Sequence, residues 1–248
     1  MSRVRKPRNA GRVPLDRALS KLGIASRAEA RKWIEEGWVK VHGVIERNFE
    51  RSVNPETAHI EILGKKAVKE ESRLVLFHKP KGVVTTKRDP NGRTTIYDLL
   101  PAELQHFHAV GRLDMHTTGL LLITNDTRLS SFLTDPKNAV SRTYVVTVRG
   151  EVTEEVRRGL ERGVQDAGER LFAFKAVLQK ASGRESRLLL ELREGKNREI
   201  RRLCLALGHE VIALKRITFG AWSLGDLAPG EWRETHANER KDRWTAAE

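Results

Sequence analysis

The sequence predicts an α+β protein of two bodies, a small N-terminal one of mixed helix and strand and a larger one built on a mixed, mainly antiparallel sheet. Three observations predict this. The chain has 248 residues with 39% hydrophobic content, enough for one good core and a smaller second one. Helical spacing dominates the start, whereas many short apolar runs separated by Gly and Pro turns dominate from Leu74 onward. Charge is uneven as well: residues 1 to 73 carry 17 Lys or Arg against 10 Asp or Glu.

The boundaries follow from composition and periodicity. Residues 1–12 read as a basic tail, 13–63 as the small domain and 64–73 as a charged linker without periodicity. Residues 74–236 form the large domain, and 237–248 form a charged tail that frays. In the small domain, Leu15, Ala18, Leu19 and Leu22 recur at helical spacing and Gly23 stands where a C-terminal cap belongs. Ser26 and Glu29 have the spacing of a capping box opening a second helix, which Gly37 closes. Val39, Val41 and Ile45 then predict a strand pair around His42-Gly43, with another strand at Ile60 and Ile62.

In the large domain, Leu74 to Phe77 reads as a strand, Lys79 to Gly82 as a turn, and Val83 to Thr86 as a further strand. Asp89-Pro90-Asn91-Gly92 is another turn. The apolar run Leu120 to Ile123 predicts a strand buried on both faces. Phe172, Phe174, Ala176 and Leu178 alternate, as does much of Arg187 to Leu192, so a sheet with one helix-covered face is expected. A helix is expected from Asn197 to Leu207, with Ile200, Leu203, Cys204 and Leu207 on its apolar side and Arg198, Arg201 and Arg202 on its polar side.

The formal net charge of +13 favours a polyanionic partner, and nucleic acid fits best. No apolar run reaches the length of a membrane span and no secretory signal is evident, so a cytoplasmic protein without membrane attachment is expected. A single cysteine, Cys204, excludes an intrachain disulfide and a multi-cysteine metal site, and its helical spacing reads as a buried small hydrophobe. His106 and His108 lack a convincing third ligand, so neither a metal nor any other cofactor is expected. A metal-dependent nuclease would require clustered carboxylates, and near Asp114 only Asp126 stands. Asp114 itself lies in a loop flanked by Gly111 and Gly119, a setting that suits either a turn former or a side chain at a cleft floor.

The segment Val110-Gly111-Arg112-Leu113-Asp114, followed by Thr117, Gly119 to Leu122 and Thr124-Asn125-Asp126, resembles the signature of the pseudouridine synthases. Lys79-Pro80-Lys81-Gly82, Arg142-Thr143-Tyr144-Val145, Gly195 to Arg202 and Gly208-His209-Glu210-Val211 agree with that family in order and spacing. Thr127 departs from it, where glycine is common. The run from Leu15 to about Leu63 resembles the S4 domain, a small RNA-binding module, in Leu15 to Leu19, Ala25 to Ala30 and Val39 to Gly43.

The resemblance implies a bacterial ribosomal RNA synthase that joins an S4 domain to a catalytic domain. It implies Asp114 as the carboxylate acting at ribose C1', Arg201 as its cationic partner, and Tyr144 as the ring that stacks on the target base and assists loss of the C5 proton. Arg112, beside the catalytic loop, is expected to hold the displaced strand open, with Arg198 and Arg202 facing RNA. Arg17, Arg27, Arg31 and Lys32 would present the S4 domain to RNA phosphates. Asn197 to Arg202 resembles members acting on large-subunit ribosomal RNA more than the small-subunit enzyme, although a small-subunit synthase stays open. So does a non-catalytic RNA-binding or ribosome-assembly protein. A monomer is the expected state.

Overall fold

The computed structural model describes residues 11–22, 24–25, 27–63 and 72–236. The proposed cap at Gly23, the capping serine Ser26, nearly all of the linker and both outermost tail segments lie outside the described residues. The chain divides into two units, Met1–Ser72 with Asn125–Arg128, and Arg73–Thr124 with Leu129–Glu248. The large unit thus lacks the short Asn125–Arg128 stretch that a boundary at residue 74 would give it.

The first unit opens with β1 (Val13–Pro14), α1 (Leu15–Lys21) and α2 (Arg27–Glu35). Four short strands follow: β2 (Val39–Val41), β3 (Val44–Glu46), β4 (Ser52–Val53) and β5 (Ile60–Ile62). Its core is Leu15, Ala18, Leu19, Ala30, Ile34, Val39, Val41 and Val53; of the residues that spacing singles out, Leu22, Ile60 and Ile62 are half-buried and Ile45 is exposed. Gly37 closes α2 in a left-handed conformation, φ +79°, and donates to Ile34 O at 3.0 Å. The expected pair of strands around His42-Gly43 is present as β2 against β3, with β5 on the other side of β2.

The second unit is a nine-stranded sheet built from β6 (Arg73–Lys79), β7 (His108–Ala109), β8 (Thr118–Thr124) and β9 (Arg142–Arg149), followed after a small hairpin by β12 to β16. The hairpin is β10 (Val164–Asp166) with β11 (Glu169–Leu171). The remaining strands are β12 (Lys175–Lys180), β13 (Glu185–Leu192), β14 (Val211–Phe219), β15 (Trp222–Ser223) and β16 (Trp232–His236). Helices α3 (Thr127–Thr134), α4 (Glu154–Arg162) and α5 (Glu199–Ala206) complete the described elements used below.

The sheet order is β12-β13-β9-β14-β8-β6-β16, with β15 on β14 and β7 on β8. Every pairing is antiparallel except β14 with β8, so the sheet is mixed and mainly antiparallel, as the sequence predicts. At that parallel seam Gly119 faces Arg216. Gly119 has φ +104°, and a Cβ there would lie 2.2 Å from Arg216 O, so only glycine fits. Val146, Val148, Leu188 and Leu190 from one half of the sheet pack with Leu160 of α4 and with Ile200, Leu203 and Cys204 of α5. Burial pushes the Cys204 thiol up to about 12, as suits a core residue.

Three expectations differ from the structure. Val83 to Thr86 forms no strand but an isolated bridge, Val84 to Thr95, because this stretch wraps over the loop that holds Asp114. Phe172 and Phe174 precede β12 rather than join it: Phe174 N still donates to Glu191 O of β13, but Ala173 N donates to Leu160 O of α4, which takes the chain off the ladder there. The last helix begins at Glu199, not Asn197, because Arg198 adopts a left-handed conformation with φ 48°. No helix among the described residues is long and apolar enough to cross a membrane.

Candidate active site

Asp114 sits in the loop between β7 and β8, and the backbone carbonyls around it are each held by a different donor. Thr85 Oγ1 donates to Leu113 O at 2.9 Å, and Gly82 N donates to Met115 O at 2.8 Å. Arg201 Nη2 reaches His116 O at 3.2 Å, and Lys79 Nζ reaches Thr117 O at 2.9 Å. Thr117 N closes a turn on Asp114 O at 3.0 Å. A loop fixed at five successive carbonyls, Leu113 to Thr117, presents its carboxylate with little freedom, which is the arrangement a reacting group requires.

Lys79 is the most buried of these donors, with 0% exposure. Its ammonium also donates to Pro80 O at 2.9 Å. Burial pulls its pKa down to about 8, a shift that the nearby Asp114 charge partly opposes. The Lys79-Pro80-Lys81-Gly82 block was legible as a turn, but nothing in its spacing shows that Lys79 points inward to the loop that carries Asp114.

Asp114 lines a cleft of about 400 Å³ together with Arg112, Tyr144, Arg198 and Arg201. The carboxylate is 36% exposed rather than buried, because the cleft opens to solvent above it. Arg198 Nη1 lies 3.4 Å from Asp114 Oδ2, and Arg201 Nε lies 3.9 Å from the same oxygen. The cation closest to the carboxylate is therefore Arg198, expected on RNA, while Arg201, expected to pair with it, stands slightly farther. The left-handed backbone at Arg198 explains the exchange, since it lifts that side chain off the helix face and over the cleft. Arg201 spends its Nη groups on Val211 O and His116 O, so it braces the loop as well as facing Asp114. Tyr144 projects from β9 on the face shared with Val146 and Val148, half-buried at the cleft wall.

Arg202 lies apart from this group. Its guanidinium bonds Asp166 Oδ2 at 2.5 Å and Glu169 Oε2 at 2.7 Å, which fastens the β10–β11 hairpin to α5 and spends its charge within the protein. Arg17, Arg27, Arg31 and Lys32 belong to the other unit. There Arg27 and Arg31 both bond the buried carboxylate of Asp16, at 2.9 and 2.8 Å. Burial alone would raise the Asp16 pKa, but hydrogen bonds from Arg31 and Arg27 outweigh it and hold the carboxyl below its ordinary value. The half of each guanidinium turned away from Asp16 remains in solvent, as does Lys32.

Three further residues line the cleft that residue spacing did not single out. Arg142 and Arg216 are buried, and the guanidinium carbons of both lie within 5 Å of the centroid of the Phe219 ring, at 4.7 and 4.8 Å. Glu199 is buried at the start of α5, where its Oε2 accepts from Lys196 N at 3.2 Å; burial raises its pKa to about 7. Arg142 stands in a block that carries the family resemblance, but Arg216 has no signal beyond its place in an apolar-basic run. Among the described residues no group of three or more His, Cys, Asp or Glu is placed to hold a metal ion.

Comparison with known proteins accords with this geometry. The family model of RNA pseudouridylate synthases matches residues 73–206, and that of the S4 domain matches residues 13–48. The chain is 36% identical over 229 residues to ribosomal large subunit pseudouridine synthase B of Bacillus subtilis, covering 92% of this chain and 93% of that one. It is 38% identical over 231 residues to the protein of the same name from Pseudomonas aeruginosa, covering 91% of this chain and 60% of that longer one. A solved structure, a pseudouridylate synthase, superposes with a TM-score of 0.66 at 28% identity, covering 94% of this chain and 99% of the other. With an S4 domain at its start and more than half its length matched by the synthase model, the chain belongs to the RNA pseudouridine synthase family and is an enzyme of that kind.

Proposed function

We propose that this enzyme isomerises uridine to pseudouridine in ribosomal RNA, and in the large-subunit RNA in particular, with Asp114 as the reacting carboxylate. The observation that carries the reading is the placement of Asp114 at 3.4 Å from Arg198 and 3.9 Å from Arg201, in a cleft wide enough for a nucleoside and walled by Tyr144. The names of the Bacillus and Pseudomonas relatives support the large-subunit assignment.

The reaction balances within the substrate. The bond from ribose C1' to N1 breaks, a bond from C1' to C5 forms, C5 gives up its proton and N1 takes one, so no co-reactant enters. A carboxylate held beside two guanidiniums can attack C1', stabilise its positive charge or take a ribose proton. Tyr144 offers a flat ring for the freed base and a hydroxyl for the C5 proton. Because a stacked base cannot reach a carboxylate, the target nucleotide must leave its helix, and the exposed Arg112 at the cleft mouth suits the role of holding the opened strand. Arg198 combines contact with Asp114 and a half-exposed guanidinium available to RNA. Arg202 would reach RNA only by sharing its bonds to Asp166 and Glu169. In the S4 domain, Arg17, Lys32 and the outer sides of Arg27 and Arg31 supply the phosphate-facing charge. The enzyme acts as a monomer in the cytoplasm under this reading.

Carbodiimide mapping of large- and small-subunit ribosomal RNA transcripts, treated with wild type or with Asp114→Asn, tests the proposal. A stop in the large-subunit RNA with wild type alone supports substrate, activity and carboxylate together. A stop only in small-subunit RNA corrects the substrate. Tight binding with no stop on either RNA points to an assembly role instead.

A further inference from the structure

Two buried guanidiniums in the wall of the Asp114 cleft have no carboxylate in ion-pair contact among the described residues. Arg216 is 2% exposed; its Nε donates to Leu120 O at 2.7 Å, while its Nη2 is buried without a hydrogen-bond partner in the protein. Arg142 is 7% exposed and donates only to backbone carbonyls, Glu194 O at 3.0 Å and Leu133 O at 2.9 Å. Neither is in ion-pair contact with a carboxylate among the described residues, in contrast to Arg198 and Arg201, which face Asp114. Glu199 is the carboxyl whose charge acts on Arg142, but the two are not in ion-pair contact, and burial shifts Glu199 toward its neutral form. The two arginines flank one ring, that of Phe219, and both line the cleft.

Burying one cation without a counter-charge is costly, and burying two of like sign around a single ring is more so. Such a cost is kept where a ligand supplies the missing charge. Neutral carbonyls of a base would accept hydrogen bonds but leave the net charge in place. A phosphodiester does both, and guanidinium is the side chain best matched to it. Because the cleft is the one that receives the target nucleotide, the phosphodiester at hand is one of the two that join that nucleotide to its neighbours.

We propose that Arg142 and Arg216 form a phosphate seat inside the catalytic cleft, which takes one of the two phosphodiesters flanking the target uridine. The proposal rests on the reading of Asp114 as the catalytic carboxylate of an RNA synthase. It gives the enzyme a means of holding the ribose in place while the detached base turns, since the base is then no longer tethered to the sugar. Arg216 extends from the strand paired with β8, so the seat and Asp114 are tied to adjacent strands of one sheet.

The test uses short RNAs containing the mapped uridine, in which one phosphate at a time is replaced by a neutral methylphosphonate, with single-turnover conversion and affinity as readouts. At one of the two flanking positions, the replacement should lower wild-type conversion by roughly 10-fold or more, the size of a lost charge-assisted bond. In Arg216→Met the same replacement should cost less than about 2-fold, because the partner is already gone. Equal penalties in wild type and variant at both positions overturn the proposal. If Arg216→Met fails to fold, Arg142→Met replaces it, and wild type alone still decides: a flanking penalty no larger than that at distant phosphates overturns the seat. Wild type that converts no all-phosphate RNA from either ribosomal subunit refutes the functional reading first, and the seat with it.

Discussion

The ammonium of Lys79 lies 2.9 Å from Thr117 O and ties the last residue of β6 to the loop that carries Asp114. Lys79→Met would leave the carbonyls of Pro80 and Thr117 without this donor, a loss of about 1–3 kcal/mol for each buried acceptor. A displaced carboxylate costs more than a weakened fold, since a shift of about 1 Å lowers turnover by roughly 100-fold. Lys79→Met is therefore expected to lower kcat about 100-fold with RNA affinity unchanged, as single-turnover conversion and filter binding would show. Loss of affinity at full turnover would contradict the positioning role.

Glu199 gives the fold a pH dependence of defined sign. Its pKa is raised from 4.5 to about 7 in the native state, so the native protein binds more protons than the unfolded chain between those values. Stability from this group is complete below 4.5 and is lost as pH rises through about 7. Glu199→Gln keeps an acceptor for Lys196 N and carries no charge. Its Tm should match wild type near about pH 4 and exceed it by about pH 8, in parallel thermal melts.

Gly119→Ala is expected to be severe. The new methyl would meet Arg216 O at 2.2 Å and Arg216 N at 2.7 Å, at a backbone angle of φ +104°. Neither strand of the parallel pair can retreat without breaking its other ladder, so a cost of about 3 kcal/mol or more follows. Soluble protein melting within about 2 °C of wild type would show that the seam yields more easily than the packing implies.

Asp16→Asn tests the S4 domain. The buried carboxylate holds Arg27 and Arg31, yet both guanidiniums are about half in solvent, which limits the loss to about 1–3 kcal/mol at neutral pH. Since the Asp16 pKa is depressed, its stabilisation is present above the ordinary carboxylate range and disappears as pH falls through the native value. The difference between wild type and variant should accordingly shrink in acid, measured by circular dichroism across a pH series. A difference that stays constant to low pH would assign the effect to shape rather than charge.

Elements with unbroken periodicity were readable in advance. The Leu15 to Leu22 helix, the strands around His42-Gly43 and the Leu120 run form as their spacing demands, because burial of one face decides them. The same is true of Arg187 to Leu192, which lies within β13. Phe172 and Phe174 show where that logic stops: alternation was present, but the amide of Ala173 between them found a carbonyl outside the ladder, Leu160 O of α4. At the site, the family resemblance, not residue type or spacing, pointed to Asp114, Arg198 and Arg201, and the order of the two arginines around the carboxylate depended on one left-handed residue. Lys79 and Arg216 were hidden for a different reason. A basic side chain is expected at the surface, and only long-range pairing shows which ones the fold encloses.

The parallel seam also sets when in the life of the chain activity can begin. Asp114 precedes β8, but β8 has no parallel neighbour until β14 exists, 96 residues later at Arg216 and Leu120. The family match ends at residue 206, while the cleft wall runs on through Leu214, Arg216 and Phe219. A polypeptide emerging from a ribosome thus carries Asp114, Tyr144 and both α5 arginines well before it owns a finished cleft. Nascent chains and C-terminal truncations should be silent toward RNA chemistry, so that ribosomal transcripts meet only completed enzyme.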